Sequence, residues 1–361
     1  MEVLEDLRDS GINAYQNVTP NQFIESNGLK TVKGRIYPLG GISNITTIFG
    51  NESGYYPVIE TDEHGFNNPK GLYEINKVDI VLTGDSFTEG YSVHSDETIS
   101  AVIRKSGFNA MSIGKAGNGP LLELAALKEY AEPLKPKIVL WLYYVNDSGD
   151  LAGEIGSPIL LKYLTKNDFS QNLISRQEEI DSLLVDYVQG EWVKSRERKS
   201  WCDHWVFKIA KLSVLRKRIN LISTPTPTPT SPPKPKPKPI FKDIMQKANH
   251  MVSGWGGKMY FVYLPSYFSY SETPYSVLSV ADSFTYANEE LNREFVLHTT
   301  NEREIPIIDI HKEVFVPHSD PLSLYPFRMD GHFNAEGYRL VAKSISNILK
   351  ADGIIPLNSK N

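Results

Sequence analysis

The stretch Val78-Asp79-Ile80-Val81-Leu82-Thr83-Gly84-Asp85-Ser86-Phe87-Thr88 decides the fold. Its first half is a short apolar run with one charge, Asp79, which reads as a buried parallel strand. Gly84-Asp85-Ser86 follows at once, so a small hydroxyl residue sits where the strand turns into a helix. Four more runs carry the same signature: Asn109–Ile113, Lys137–Tyr144, Lys258–Leu264 and Ile305–Ile310. Helical patterns fill several of the gaps between them. Leu121, Leu122, Leu124, Ala125 and Leu127 make an apolar stripe, and Leu291, Phe295 and Leu297 a less regular one. Strands alternating with helices predict a doubly wound α/β domain, a parallel sheet covered on both faces and joined by right-handed crossovers.

The last helix has a legible start. Asn334 suits an N-cap, Glu336 lies in the first turn where the dipole favours a carboxylate, and Leu340, Val341, Ile345, Ile348 and Leu349 follow at helical spacing. His332 therefore falls on the loop between the final strand and the final helix. Residues 1–77 read as a lead-in packed on the catalytic domain, with short strands at Gly34–Tyr37, Thr46–Phe49 and Tyr55–Ile59. Residues 78–361 form that domain, interrupted by a mostly helical insertion at 151–223 and a Pro-rich flexible segment at 224–239. The Pro-rich stretch TPTPTPTSPPKPKPKP favours polyproline II and cannot pack a core. It is not a domain boundary, because three strands and Ser86 precede it while two strands and His332 follow.

Composition narrows the function classes. With 40% apolar and 22% charged residues the chain is an ordinary folded protein, and a net charge of −5 gives no electrostatic reason to expect nucleic acid as partner. The single cysteine, Cys202, excludes an intramolecular disulfide and a cysteine zinc site, and is read as a small packing residue. No H-E-x-x-H or calcium loop is present, the histidines are scattered, and Asp62, Glu63 and His64 are placed on a surface turn, so no metal or cofactor is implied. No run of about 18 apolar residues offers a membrane span. The chain as written reads as soluble. Its opening reads like the middle of something longer, which makes an upstream membrane anchor an open expectation.

The chemistry follows from residue types at strand ends. A serine hydroxyl needs a base to take its proton, and that base needs a partner to fix its tautomer and stabilise the imidazolium. Ser86, His332 and Asp330 are the candidates for nucleophile, base and acid. Three donors suit a tetrahedral oxyanion: the backbone N–H of Ser86, that of Gly117 in Gly114-Lys115-Ala116-Gly117-Asn118-Gly119, and the side-chain amide of Asn146. A nucleotide cradle is the competing reading of the glycine loop, but G-x-x-G-x-G is not G-x-G-x-x-G and no Walker lysine follows.

Gly84-Asp85-Ser86, Gly117, Asn146-Asp147 and Asp330/His332, in this order, resemble the four sequence blocks of the SGNH (GDSL-type) hydrolase superfamily. The resemblance runs from about Val78 to the C-terminus, with the insertion outside it. It implies a three-layer α/β/α sandwich around a five-stranded parallel sheet, flavodoxin-like, with Ser86 as nucleophile, Gly117 and Asn146 completing the oxyanion hole, and Asp330 and His332 as the acid and base. The family's last block most often has two residues between Asp and His, whereas only Gly331 intervenes here. Asp320, Asp309 or a backbone carbonyl are the alternatives for orienting the imidazole. Val145 stands where many relatives carry a small residue, often Gly. The α/β-hydrolase elbow G-x-S-x-G is not matched, because Thr88 replaces its second glycine.

These residues read as a serine esterase acting through an acyl-enzyme on a small-molecule or carbohydrate ester, with acetyl as the acyl group. An O-acyltransferase would differ only in the acceptor. A binding module that keeps the fold without turnover is the reading of another class.

Overall fold

A computed structural model describes residues 2–74, 77–202, 239–271 and 289–354, with the backbone alone for residues 2 and 193–202. In chain order the strands are β1 (Ala14–Gln16), β2 (Leu29–Thr31), β3 (Gly34–Ile36), β4 (Thr46–Ile48), β5 (Val58–Glu60), β6 (Ile80–Thr83), β7 (Ala110–Ser112), β8 (Ile138–Tyr143), β9 (Lys258–Tyr263) and β10 (Ile307–Asp309). The α-helices are α1 (Glu2–Asp9), α2 (Ser86–Glu89), α3 (Ile99–Lys105), α4 (Pro120–Ala126), α5 (Asp147–Glu154), α6 (Pro158–Thr165), α7 (Gln177–Cys202), α8 (Ile240–Gly254), α9 (Glu289–Asn301) and α10 (Ala335–Ala351).

Strands β6 to β10 form one five-stranded sheet in the order β7-β6-β8-β9-β10, parallel throughout. The expected doubly wound α/β sheet is present, each strand lying inside the run that predicts it. Side chains alternate between two cores, as a pleat buried on both faces requires. Val81, Val139, Trp141, Phe261 and Tyr263 face one core, with α4, α8, α9 and the N-terminal residues. Ile80, Leu82, Leu140, Val262 and Ile308 face the other, closed by α3 and α10. The chain leaves β6 for β7 at one edge, then returns past β6 to β8. The carboxyl ends of β6 and β8 therefore flank a topological switch point, where open α/β sheets leave a crevice for ligands. Ser86 follows one of these strands and Asn146 the other.

Several local expectations hold in detail. Asn334 caps α10, its side chain accepting the Gly337 N–H at 3.0 Å, and Val341, Ile345 and Leu349 are buried beneath it. Others need correction. On α9 Phe295 and Leu297 pack against the core as expected, but Leu291 is exposed, and the buried positions are Glu289, Val296, Thr299 and Thr300, a more polar face than the leucines suggest. Asp62 is not on a surface turn: it is fully buried. Its carboxylate accepts the N–H groups of His64 (2.8 Å) and Phe66 (3.0 Å), the Asn68 amide (2.8 Å) and the Tyr73 hydroxyl (3.0 Å). It is the internal cap of a buried turn.

The lead-in builds a three-stranded sheet, β1-β4-β5, and a β2-β3 hairpin. Strands β4 and β5 pair antiparallel, so residues 49–57 form the loop of a hairpin. Within the segment read as an insertion, Leu160, Ile180, Leu184 and Val188 share the core of the strand residues. Residues 203–223 of that segment and 224–238 of the Pro-rich stretch lie outside the described residues, as do the side chains of Trp201 and Cys202. Among the described residues no helix is long and apolar enough to cross a membrane.

Candidate active site

Ser86 is the first residue of α2, and Asp85 caps that helix, its Oδ1 accepting the Phe87 N–H at 2.9 Å. The cap fixes the turn, which leaves the Ser86 side chain at the helix entrance. Ser86 Oγ lies 2.7 Å from His332 Nε2, joining residues 246 positions apart. The imidazole sits against the rings of Phe87 (4.7 Å between centroids) and Tyr91 (4.9 Å), which restrict its orientation. The serine and histidine side chains expected to meet thus lie within hydrogen-bond distance.

The carboxylate that faces the imidazole is a different residue from the one expected. His332 Nδ1 faces both oxygens of Glu52, at 3.0 and 2.9 Å, and Glu52 Oε2 also accepts the His332 backbone N–H at 2.9 Å. Asp330, assigned this role from the sequence, is exposed. The alternatives are engaged elsewhere, Asp320 with Arg328 at 2.5 Å and Asp309 with Arg293. Gly331 explains why the position before the histidine is small. It has φ +157°, and a Cβ there would stand 2.9 Å from Glu52 Oε2. The carboxylate thus occupies space that a side chain at position 331 would claim.

Glu52 arrives on the β4–β5 hairpin loop, docked on the residues just after the serine helix. Gly50 N–H donates to the Tyr91 hydroxyl (3.0 Å), Ser53 Oγ to the Ser92 carbonyl (2.9 Å), and Ser92 Oγ to Glu52 Oε2 (2.8 Å). Phe49 stacks on Tyr91 with centroids 5.1 Å apart. Burial pushes the Glu52 pKa up, but the hydrogen bonds and charge of His332 and the Ser92 hydroxyl outweigh it and bring it down to about 2. Glu52 is therefore held in its carboxylate form facing Nδ1.

The three oxyanion candidates come from the carboxyl ends of adjacent strands. Among the described residues, neither the Ser86 nor the Gly117 backbone N–H donates to another backbone group. Gly117 has φ +73°, a left-handed conformation that favours glycine, and the Asn21 side-chain amide occupies the space a Cβ there would take. Asn146 precedes α5, and its Nδ2 donates to Asp150 at 3.3 Å. That amide also lies by Asp85, whose pKa burial raises to about 6 against the lowering influence of His332, Phe87, Ser86 and Asn146.

Behind these loops lies a group of buried carboxyls. Burial, with the neighbouring Asp85 charge, pushes Asp150 up to about 7. Burial also carries Glu154 up to about 8, although its backbone hydrogen bonds oppose the change. Between pH 5 and 8 the native state keeps protons here that an unfolded chain would release, so stability falls as pH rises. Glu52 acts in the opposite sense: its contribution is present above its unfolded pKa and is lost as pH falls toward about 2. Thermal unfolding followed by circular dichroism is expected to give a lower midpoint at pH 8.5 than at pH 5.5. A midpoint rising over that interval would contradict the protonated cluster.

No family model matches the chain, and no curated protein sequence matches it significantly. Solved structures do. A member of the lipolytic protein G-D-S-L family from Veillonella parvula DSM 2008 is 13% identical, with 76% of this chain and 98% of that one covered and a TM-score of 0.40. The lipase/acylhydrolase from Enterococcus faecalis is 13% identical, with 76% and 96% covered and a TM-score of 0.39. An acetyl xylan esterase is 10% identical, with 75% and 100% covered and a TM-score of 0.39. Likeness at this level identifies no residue of the site.

Sequence reasoning missed Glu52 because nothing in its neighbourhood marks it. It lies 280 positions from the histidine it supports, in Asn51-Glu52-Ser53-Gly54, which reads as an ordinary turn.

Proposed function

We propose that the protein is a serine esterase working through an acyl-enzyme on Ser86. The observation that carries this reading is the relay Ser86 Oγ to His332 Nε2 at 2.7 Å and His332 Nδ1 to Glu52 at 2.9 Å. In the first half-reaction Ser86 Oγ attacks the ester carbonyl carbon while Nε2 takes the hydroxyl proton. Glu52 holds the other proton on Nδ1 and stabilises the imidazolium. The tetrahedral intermediate carries its negative charge on the former carbonyl oxygen, facing the N–H groups of Ser86 and Gly117 and the amide of Asn146. Collapse breaks the bond to the alkoxy oxygen, which leaves as the alcohol with the proton from Nε2. Water then attacks the acyl-serine, gives a proton to Nε2, and on collapse the carboxylic acid departs and Ser86 regains its hydroxyl proton.

The substrate we propose is a small acyl ester, acetyl on a carbohydrate. Its support is the aromatic surface beside the acid. Phe327 is 69% and Tyr56 47% exposed, and Phe327 packs over Gly54, two residues from Glu52. Phe327 and Arg328 both hold left-handed backbone, φ +52° and +58°, a strained arrangement of the kind that clusters at ligand clamps. Flat rings next to a polar site suit the face of a sugar.

The direct test is reaction with a serine-directed phosphonate followed by peptide mapping, together with acetate release from an acetylated polysaccharide. Labelling confined to Ser86 is the expected result; an unlabelled protein would end the assignment. For the oxyanion donors, Asn146→Ala is expected to lower kcat about 10²- to 10³-fold with a small change in KM. Steady-state kinetics on p-nitrophenyl acetate would check this.

A further inference from the structure

We infer that Glu89 and Glu154 are positioning residues for acyl transfer, which clamp the Gly114–Gly119 loop between the helix that begins at Ser86 and the helix that follows Asn146. The inference rests on the esterase reading and extends it to side chains that touch no reacting atom.

Glu89 is the last residue of α2 and is 1% exposed. Its Oε2 accepts the Ala116 N–H at 2.8 Å. Its Oε1 accepts Lys115 Nζ at 2.6 Å and the Asn17 amide at 3.1 Å. Lys115 is equally buried and also donates to Asn17 Oδ1 at 2.8 Å, so the ion pair is enclosed with its hydrogen bonds satisfied. Lys115 N–H donates to the Gly84 carbonyl at 3.3 Å, which ties the same loop to the residue preceding Asp85 and Ser86.

Glu154, in the last turn of α5, grips the other end of the loop. It is fully buried. Its Oε1 accepts the N–H groups of Gly119 at 2.7 Å and Leu122 at 3.4 Å, and its Oε2 that of Leu121 at 2.8 Å. Helix α4 begins with Gly119 as N-cap and Pro120 at its first position, so it has no side-chain cap of its own. A helix start without a local cap leaves donors that something else must satisfy. Here a second helix, the one that Asn146 precedes, supplies the acceptor. Gly117 sits between the two grips, with residues 116 and 119 held by the carboxyl groups of Glu89 and Glu154 from opposite sides. Each clamp therefore sets the distance between the Gly117 N–H and one of the other two oxyanion donors. Misplacing a catalytic group by about 1 Å costs on the order of 10²-fold in rate.

A merely structural role predicts lost stability and unchanged chemistry, and Glu129 provides the comparison. It is also buried and accepts the backbone N–H groups of Gln171 at 2.6 Å and Leu173 at 3.0 Å, away from the Ser86 and Asn146 loops. In the full chain, Glu154→Gln is expected to lower kcat on p-nitrophenyl acetate about 10- to 100-fold with KM within about threefold, and to slow phosphonate labelling of Ser86 in proportion. Glu129→Gln is expected to lose thermal stability while keeping kcat within about twofold. Glu89→Gln tests the other grip and serves if Glu154→Gln fails to fold. Folded Glu154→Gln or Glu89→Gln protein with wild-type kcat and wild-type labelling rate would overturn the clamp and leave the esterase standing. Wild-type protein that is not labelled at Ser86 would remove both.

Discussion

Ser86→Ala is expected to reduce kcat for p-nitrophenyl acetate by about 10⁵- to 10⁶-fold, the scale seen when a triad serine acting as one unit with its base is removed. The argument is local. Ser86 Oγ is the group on His332 Nε2 at 2.7 Å, and without it the base has no proton to take from the protein. The substitution deletes one oxygen at a site 8% exposed, and Asp85 continues to cap α2 through the Phe87 N–H. Folding should therefore persist, with a thermal midpoint close to wild type. Steady-state kinetics alongside circular dichroism separates the two effects. Turnover within tenfold of wild type would remove Ser86 from the mechanism.

Glu52→Gln carries the second largest effect, about 10³- to 10⁴-fold in kcat, while Asp330→Asn should stay within about twofold. Glu52 Oε2 accepts the His332 backbone N–H and the Ser92 hydroxyl as well as facing Nδ1, so the glutamine oxygen is expected to take that place. The amide nitrogen then faces Nδ1 from the Oε1 position, 3.0 Å away, and can only donate. The proton is forced onto Nε2, where it meets Ser86 Oγ, and the base is lost while the packing is kept. Parallel kinetics on the two variants discriminate sharply. Full activity in Glu52→Gln together with a large loss in Asp330→Asn would restore Asp330 as the partner of His332.

The sheet and two members of the relay were legible because their signals are local. Val78–Thr83 and Lys137–Tyr144 are apolar on both faces of the pleat, which only a sheet covered on both sides produces. Ser86 lies at a strand-to-helix turn and His332 just before a helix capped by Asn334, so topology alone places both at the carboxyl edge. The acid was not legible by such means. Asp330 stands two residues from the histidine and matches a family spacing imperfectly; in the structure it is exposed, and Glu52 is the carboxylate with both oxygens at Nδ1. The contact is made between a hairpin loop and a loop 280 positions away, and only tertiary structure reports it. The same holds for Asp62, whose polar tripeptide suggests solvent but whose four hydrogen bonds are all internal. Polar residues satisfied within a turn look the same in sequence as those satisfied by water.

The hairpin loop that bears Glu52 stands apart from the sheet that carries Ser86 and Asn146. Residues 49–57 connect two strands of a small separate sheet, and the five-stranded sheet neither contains them nor pairs with them. Deleting residues 50–54 would take the carboxylate away from the imidazole, and no residue of that loop belongs to either of the two large cores. Serine and histidine would then stand side by side without their carboxylate in a chain that keeps its fold.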